Sequence, residues 1–99
     1  MNKLKKTRSS GNIFRDMGFS PKMSENLLVR AKLMAEIEKY IQKKNITQSK
    51  AAKLFGVTQP RISDLMRGKI HLFSVDTLIA MLSHAGLVVD VRVRKPKAA

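Results

Sequence analysis

The stretch TQSKAAKLFGVTQPRISDLMRGK, residues 47–69, constrains the chain more than any other, because it reads as two short helices meeting at a sharp turn. Residues 48–55 are long enough for two turns of helix. Thr47 in front of them carries the hydroxyl that accepts from an otherwise unpaired N–H at a helix start. Gly56 comes next. Lacking a Cβ, it enters the left-handed region without steric cost, so the first helix can stop there abruptly. Val57 follows as an apolar anchor, and Thr58 is the second N-cap. The second helix is predicted to run to about Arg67, and Gly68 closes it.

Spacing identifies how the two helices meet. Ala52 is small enough to let the second helix approach closely. Ile62 and Leu65, three residues apart, share one face of that helix and pack back on the first. Phe55, Val57 and Met66 complete a small core. A small residue, a glycine and two apolar residues at these offsets make a helix-turn-helix, whose second helix is offered to the DNA major groove. An ordinary helical hairpin requires none of them.

With those residues in place, the stretch resembles the helix-turn-helix of the XRE family, the group of lambda repressor and Cro. The resemblance is close over these residues and looser in the helices around them. The flanks SSGNIFRDMGFSP and KIHLFSVDTLIAMLSHAGLVVDVRVR resemble a narrower subset of small XRE proteins that includes HigA-like antitoxins of toxin–antitoxin pairs. The resemblance implies a mainly α, lambda repressor-like bundle of four to five helices. It also implies that the first residues of the second helix, Gln59 and its neighbours, reach base edges. Gln48 and Thr58, at the helix starts, match the family's phosphate contacts, where backbone N–H groups also meet the anion.

The chemistry of that helix suits the role. Pro60, Asp64 and Arg67 face away from Ile62 and Leu65, with Gln59, Arg61 and Ser63 on the flanks. Glutamine can pair bidentately with adenine, and arginine with guanine. Pro60 departs from many family members and can give only apolar contact, for instance to a thymine methyl. Asp64 either accepts from cytosine or pairs with Arg61 or Arg67 one turn away, and the pairing is the favoured expectation. Lys50, Lys53, Arg67 and Lys69 are candidates for further phosphate contacts.

Charge points to the same kind of partner. The 99 residues hold 20 Lys and Arg against 7 Asp and Glu, a net +13, which calls for a polyanion. Double-stranded DNA is the expected one. Single-stranded RNA is a poorer fit, since one tyrosine and four phenylalanines in apolar settings make weak base-stacking platforms. No cysteine is present, which excludes disulfides and thiolate metal sites. His71 and His84 stand singly, with no ligand cluster near them in sequence. No phosphate loop or nucleophile constellation appears, so neither an enzyme nor a cofactor is expected. No apolar run approaches the ~18 residues of a membrane span, and the start of the chain is not a secretory signal, so the expected setting is cytoplasmic.

Around the motif, residues 1–20 are expected to be a basic arm and a docking segment, 21–86 the DNA-binding domain, and 87–99 a C-terminal β-strand with a basic tail. The arm, to about residue 12, is open between phosphate or minor-groove contact and a solvated tail. Ile13, Phe14, Met17 and Phe19 form an apolar patch expected to dock on the domain. Ser20-Pro21 opens a helix over residues 21–44, carrying a stripe of Leu27, Ala31, Met34, Ile37 and Ile41. Ser74 caps the last helix, with Phe73 and Leu78 at staple spacing, and Gly86 ends it.

Val75, Leu78, Ile79, Met81 and Leu82 make that helix apolar around much of its circumference, more than one small core can use. Val89, Val91 and Val93 alternate with Asp90, Arg92 and Arg94 at the period of a strand. A lone strand must find a partner: a second copy, the segment around residues 13–19, or another protein such as a toxin. Residues 45–69 hold five Lys or Arg against one Asp, whereas residues 70–89 hold none against one Asp. Two copies can therefore meet near that segment without strong repulsion. A homodimer is expected there, built on Val75, Ile79, Leu82, Val89, Val91 and Val93.

Overall fold

The structure, a computed structural model, describes residues 11–96. Residues 1–10, which hold most of the basic arm, and 97–99 lie outside the described part. Five α-helices follow one another: α1 (Ile13–Asp16), α2 (Pro21–Lys44), α3 (Gln48–Phe55), α4 (Gln59–Met66) and α5 (Val75–His84). A short 3-10 turn, Ile70–Leu72, joins α4 to α5 where the sequence predicts only a loop.

Each helix starts and stops for a local reason. Ser20, Thr47, Thr58 and Ser74 accept from the N–H three residues on, and Pro21 occupies the first position of α2, where a missing N–H costs nothing. Lys43 and Lys44 sit in the last turn of α2, at the negative end of its dipole. Asn45 ends α2 in the left-handed region at φ 52°, a conformation asparagine tolerates better than most residues.

Helix α2 is the floor on which the rest is laid. Its stripe buries Leu27, Met34, Ile37 and Ile41, while Ala31 is only half-buried. Leu33 and Tyr40, off the stripe, widen the buried face; Tyr40 meets Phe55 edge-on at 6.1 Å between centroids. Ala51, Ala52 and Phe55 of α3, Ile62 and Leu65 of α4, and Leu78, Met81 and Leu82 of α5 complete one continuous core, joined by Phe73. Phe73 and Leu78 are both fully buried, as the staple spacing predicts.

The segment before α2 meets it through a polar residue and not through the apolar patch read from the sequence, of which only Phe14 is half-buried. Asn12, assigned by sequence to the end of a loose arm, is buried and caps α1: its Oδ1 accepts from the N–H groups of Phe14 and Arg15. Its Nδ2 donates to the Ser24 carbonyl at 3.0 Å and to Glu25 Oε2 at 3.2 Å, which ties α1 to α2. Phe14 turns inward and meets Phe19 at 6.3 Å, whereas Ile13 and Met17 stay exposed.

The C-terminal strand is not formed. Among the described residues there is no strand, and residues 87–96 carry neither helix nor ladder. Leu87 and Val89 pack on the edge of the core, but Val91 and Val93 are 81% and 90% exposed. The reason is a missing neighbour. The one intrachain candidate, residues 13–19, is taken up by α1 and its turn, so no extended backbone among the described residues is available to share hydrogen bonds. The apolar surplus on α5 is also smaller than expected. Leu78, Met81 and Leu82 are all used by the domain's own core, so Leu82, expected at the dimer contact, is not available to it, and half-buried Val75 and partly exposed Ile79 are the larger outward apolar residues.

Because Ile37 is wholly buried at the centre of this arrangement, Ile37→Ala is expected to destabilise the fold by about 2–5 kcal/mol. Equilibrium urea unfolding measures this, and Ile79→Ala, at a site 38% exposed, should cost much less in the same assay.

Candidate nucleic-acid interface

The α3–α4 unit is set by its turn. Gly56 has φ +69°, and a Cβ there would lie 2.7–2.9 Å from three atoms of the His84 ring, so both backbone and space demand glycine. The N–H of Val57 donates to the Ala52 carbonyl at 2.9 Å, closing the end of α3. Ile62 and Leu65 then turn inward, with 0% and 2% of their surface exposed, which fixes which side of α4 faces out.

Gln59 and Pro60 are exposed at the start of α4, and Arg67 at its end; Ser63 and Asp64 are half-buried. Gln48 and Lys50 are exposed at the start of α3, and Lys53 further along it. The starts of both helices are thus open to an approaching anion, but they do not offer the same groups. In α3 the Lys50 N–H is held by Thr47 Oγ1 at 3.1 Å, leaving those of Gln48 and Ser49 without an acceptor among the described residues. In α4 Pro60 has no N–H, and that of Arg61 is bonded to Thr58. The beginning of α3 thus offers two backbone N–H groups, whereas α4 mainly presents side chains.

Charged groups are less free than the sequence implies. Asp64 pairs with Arg67 at 3.5 Å and also with Lys69 at 3.6 Å, a partner the sequence does not suggest. Arg61 is not its partner: that guanidinium lies over the Phe73 ring, 5.3 Å from the centroid. Lys50, Lys53 and Arg61 have no carboxylate within ion-pair distance among the described residues, so they are the unneutralised cations of the unit. His84, a single residue in sequence, places Nδ1 2.9 Å from the Leu54 carbonyl. No sequence signal connects two residues thirty positions apart; only the demand of Gly56 for an empty side-chain volume hints that something fills it. Among the described residues no group of three or more His, Cys, Asp or Glu could hold a metal, and no helix is long and apolar enough to cross a membrane.

A family model described as a helix-turn-helix domain matches residues 13–94. The chain belongs to this helix-turn-helix family. The match spans α1 and most of the C-terminal segment as well as the α3–α4 unit, so the flanks are part of the domain. A solved structure provisionally named an XRE family transcriptional regulator is similar, with 28% identity and a TM-score of 0.67; the similarity covers 77% of this chain and 89% of that one. No curated protein matches. The name of that neighbour agrees with the XRE resemblance read from residues 47–69.

Gly56→Ala is expected to cost at least about 1–2 kcal/mol of stability from the left-handed backbone alone, with the clash against His84 adding to it. Gly68, also at positive φ but with nothing within 4 Å of its absent Cβ, should show only the backbone cost when changed to Ala. Paired urea titrations of the two variants separate the two effects.

Proposed function

We propose that this protein is a sequence-specific DNA-binding transcriptional repressor that acts as a homodimer on a palindromic operator. The observation that carries the reading is the presentation of Gln59 and Pro60, exposed on the first turn of an α4 whose opposite face is locked in the core. Gln59 reads a base edge, most naturally adenine, and Pro60 gives apolar contact. Arg61 adds a guanine contact. Leaving Phe73 costs it about 0.5–1 kcal/mol, less than the roughly 1–3 kcal/mol of a bidentate base contact. Gln48 and Thr58 meet phosphates, with Lys50 and Lys53 adding charge. Arg67 and Lys69 contribute less, because Asp64 partly neutralises them.

One helix-turn-helix covers too few base pairs to select a site in a genome, and a two-fold dimer places two α4 helices about one DNA turn apart, roughly 34 Å. Val75 and Ile79 on α5, with Val89, Val91 and Val93 in the extended segment after it, are the surface for that contact. Residues 70–89, without Lys or Arg, keep repulsion between copies low. The expected setting is cytoplasmic. A second reading, a module that neutralises a toxin as HigA-like antitoxins do, draws on apolar surface left uncovered: Val91, Val93 and an open groove of about 340 Å³ between Phe14, Met34, Leu65 and Ile70.

A duplex selected from a random pool by the native chain provides the test. Gln59→Ala should lose about 1–3 kcal/mol on the selected duplex and little on random DNA. Lys50→Ala and Lys53→Ala should weaken both alike and lower the salt dependence by roughly 0.9 for each phosphate no longer neutralised. Equal losses on both duplexes for Gln59→Ala would remove it from base reading. Asp64→Asn should tighten binding to both duplexes by freeing Arg67 and Lys69, with stability changed by less than about 1 kcal/mol. Sedimentation at micromolar concentration should show a dimer that Val91→Asp breaks; a monomeric native chain would overturn the proposed assembly.

A further inference from the structure

We infer that His84 is a positioning residue for base recognition: from the last turn of α5 it fixes the pivot between α3 and α4, and so the direction in which α4 presents Gln59. The inference rests on the DNA-binding reading above and adds to it a residue that no DNA contact would reveal. Leu54 lies in the last turn of α3, where its carbonyl has no partner further along the helix. The His84 ring nitrogen Nδ1 stands 2.9 Å from that carbonyl and supplies the bond. The same ring occupies the volume a side chain at position 56 would need, within 2.9 Å of where its Cβ would stand. A single imidazole therefore both caps α3 and braces the residue at which the chain turns into α4.

The segment leading into α5 meets α4 as well. Phe73, just before the Ser74 cap, lies under the Arg61 guanidinium, 5.3 Å from centroid to Cζ. Helix α5 itself meets the end of α3 through His84, while the segment leading into it meets the first turn of α4 through Phe73, a contact that Arg61 gives up when it turns to a base. The burial of Ile62 and Leu65 holds the inner face of α4, and His84 adds a contact at the turn itself, where the chain passes from α3 into α4. His84 remains solvent-exposed, so shortening it opens no cavity in the core.

The test compares His84→Ala with His84→Asn, whose amide nitrogen can replace Nδ1 as donor, on the duplex selected by the native chain and on random DNA. The expected result for His84→Ala is a loss of about ten-fold on the selected duplex, spread over several base pairs, with random-DNA affinity within about two-fold. His84→Asn should recover most of the loss, which a general weakening of the fold would not do selectively. Equal losses on both duplexes, or none on either, would overturn the positioning role. If the native chain enriches no sequence at all, the DNA reading fails instead. The brace is then judged without DNA, from amide exchange at Val57, whose N–H bonds to the Ala52 carbonyl at the turn. Faster exchange in His84→Ala than in the native chain and in His84→Asn supports it, and unchanged exchange overturns it.

Discussion

Helices of eight residues do not persist alone in water, so α3 and α4 exist because of what they bury together. Everything at the candidate interface depends on that shared burial. Phe55, Ile62 and Leu65 go into one core with Ile37 and Ile41 of α2 and with Leu78 and Met81 of α5. The stability of the small unit is borrowed from the longer helices on either side. A recognition helix held in this way is rigid on its inner face and free on its outer one. Polar residues at positions 59 and 63 can therefore be exchanged for others without touching the core.

Charge is spread unevenly along the chain. Cations without carboxylate partners occur on the α3–α4 unit, while the segment that follows carries almost no charge. Asp64 is the exception on the α3–α4 unit, and its two cationic neighbours turn a repulsive group into part of a local network. Such a network, with both its cations open to solvent, contributes little to stability. Its effect is to set how many positive charges the end of α4 presents.

Much of this is legible in the residues. Caps at Thr47, Thr58 and Ser74, the stop at Gly56 and the stripe on α2 are local signals, and the helices begin and end where those signals stand. What the sequence hides is non-local. Asn12 reads as part of a polar arm until Ser24 and Glu25 are placed beside it. His84 reads as a bland helix end until the turn at Gly56 is folded under it. The alternating valines after Leu87 carry the period of a strand, yet period alone does not make one, because a strand also needs a neighbour to share its hydrogen bonds. The apolar surplus on α5 is smaller than its composition suggests for a related reason. How much of a helix a core can cover depends on how many elements surround it, and Phe73 and Met81 show that this core reaches further round than a single stripe.

The extended segment has a consequence for solubility. An unpaired run of β-branched residues is a template for uncontrolled association through its edge, and Val88, Val91 and Val93 are all more than four-fifths exposed. Asp90, Arg92, Arg94 and Lys95 are interspersed with and follow these valines, so stacking identical copies in register would place like charges on top of one another. These residues act as gatekeepers that discourage open-ended fibres.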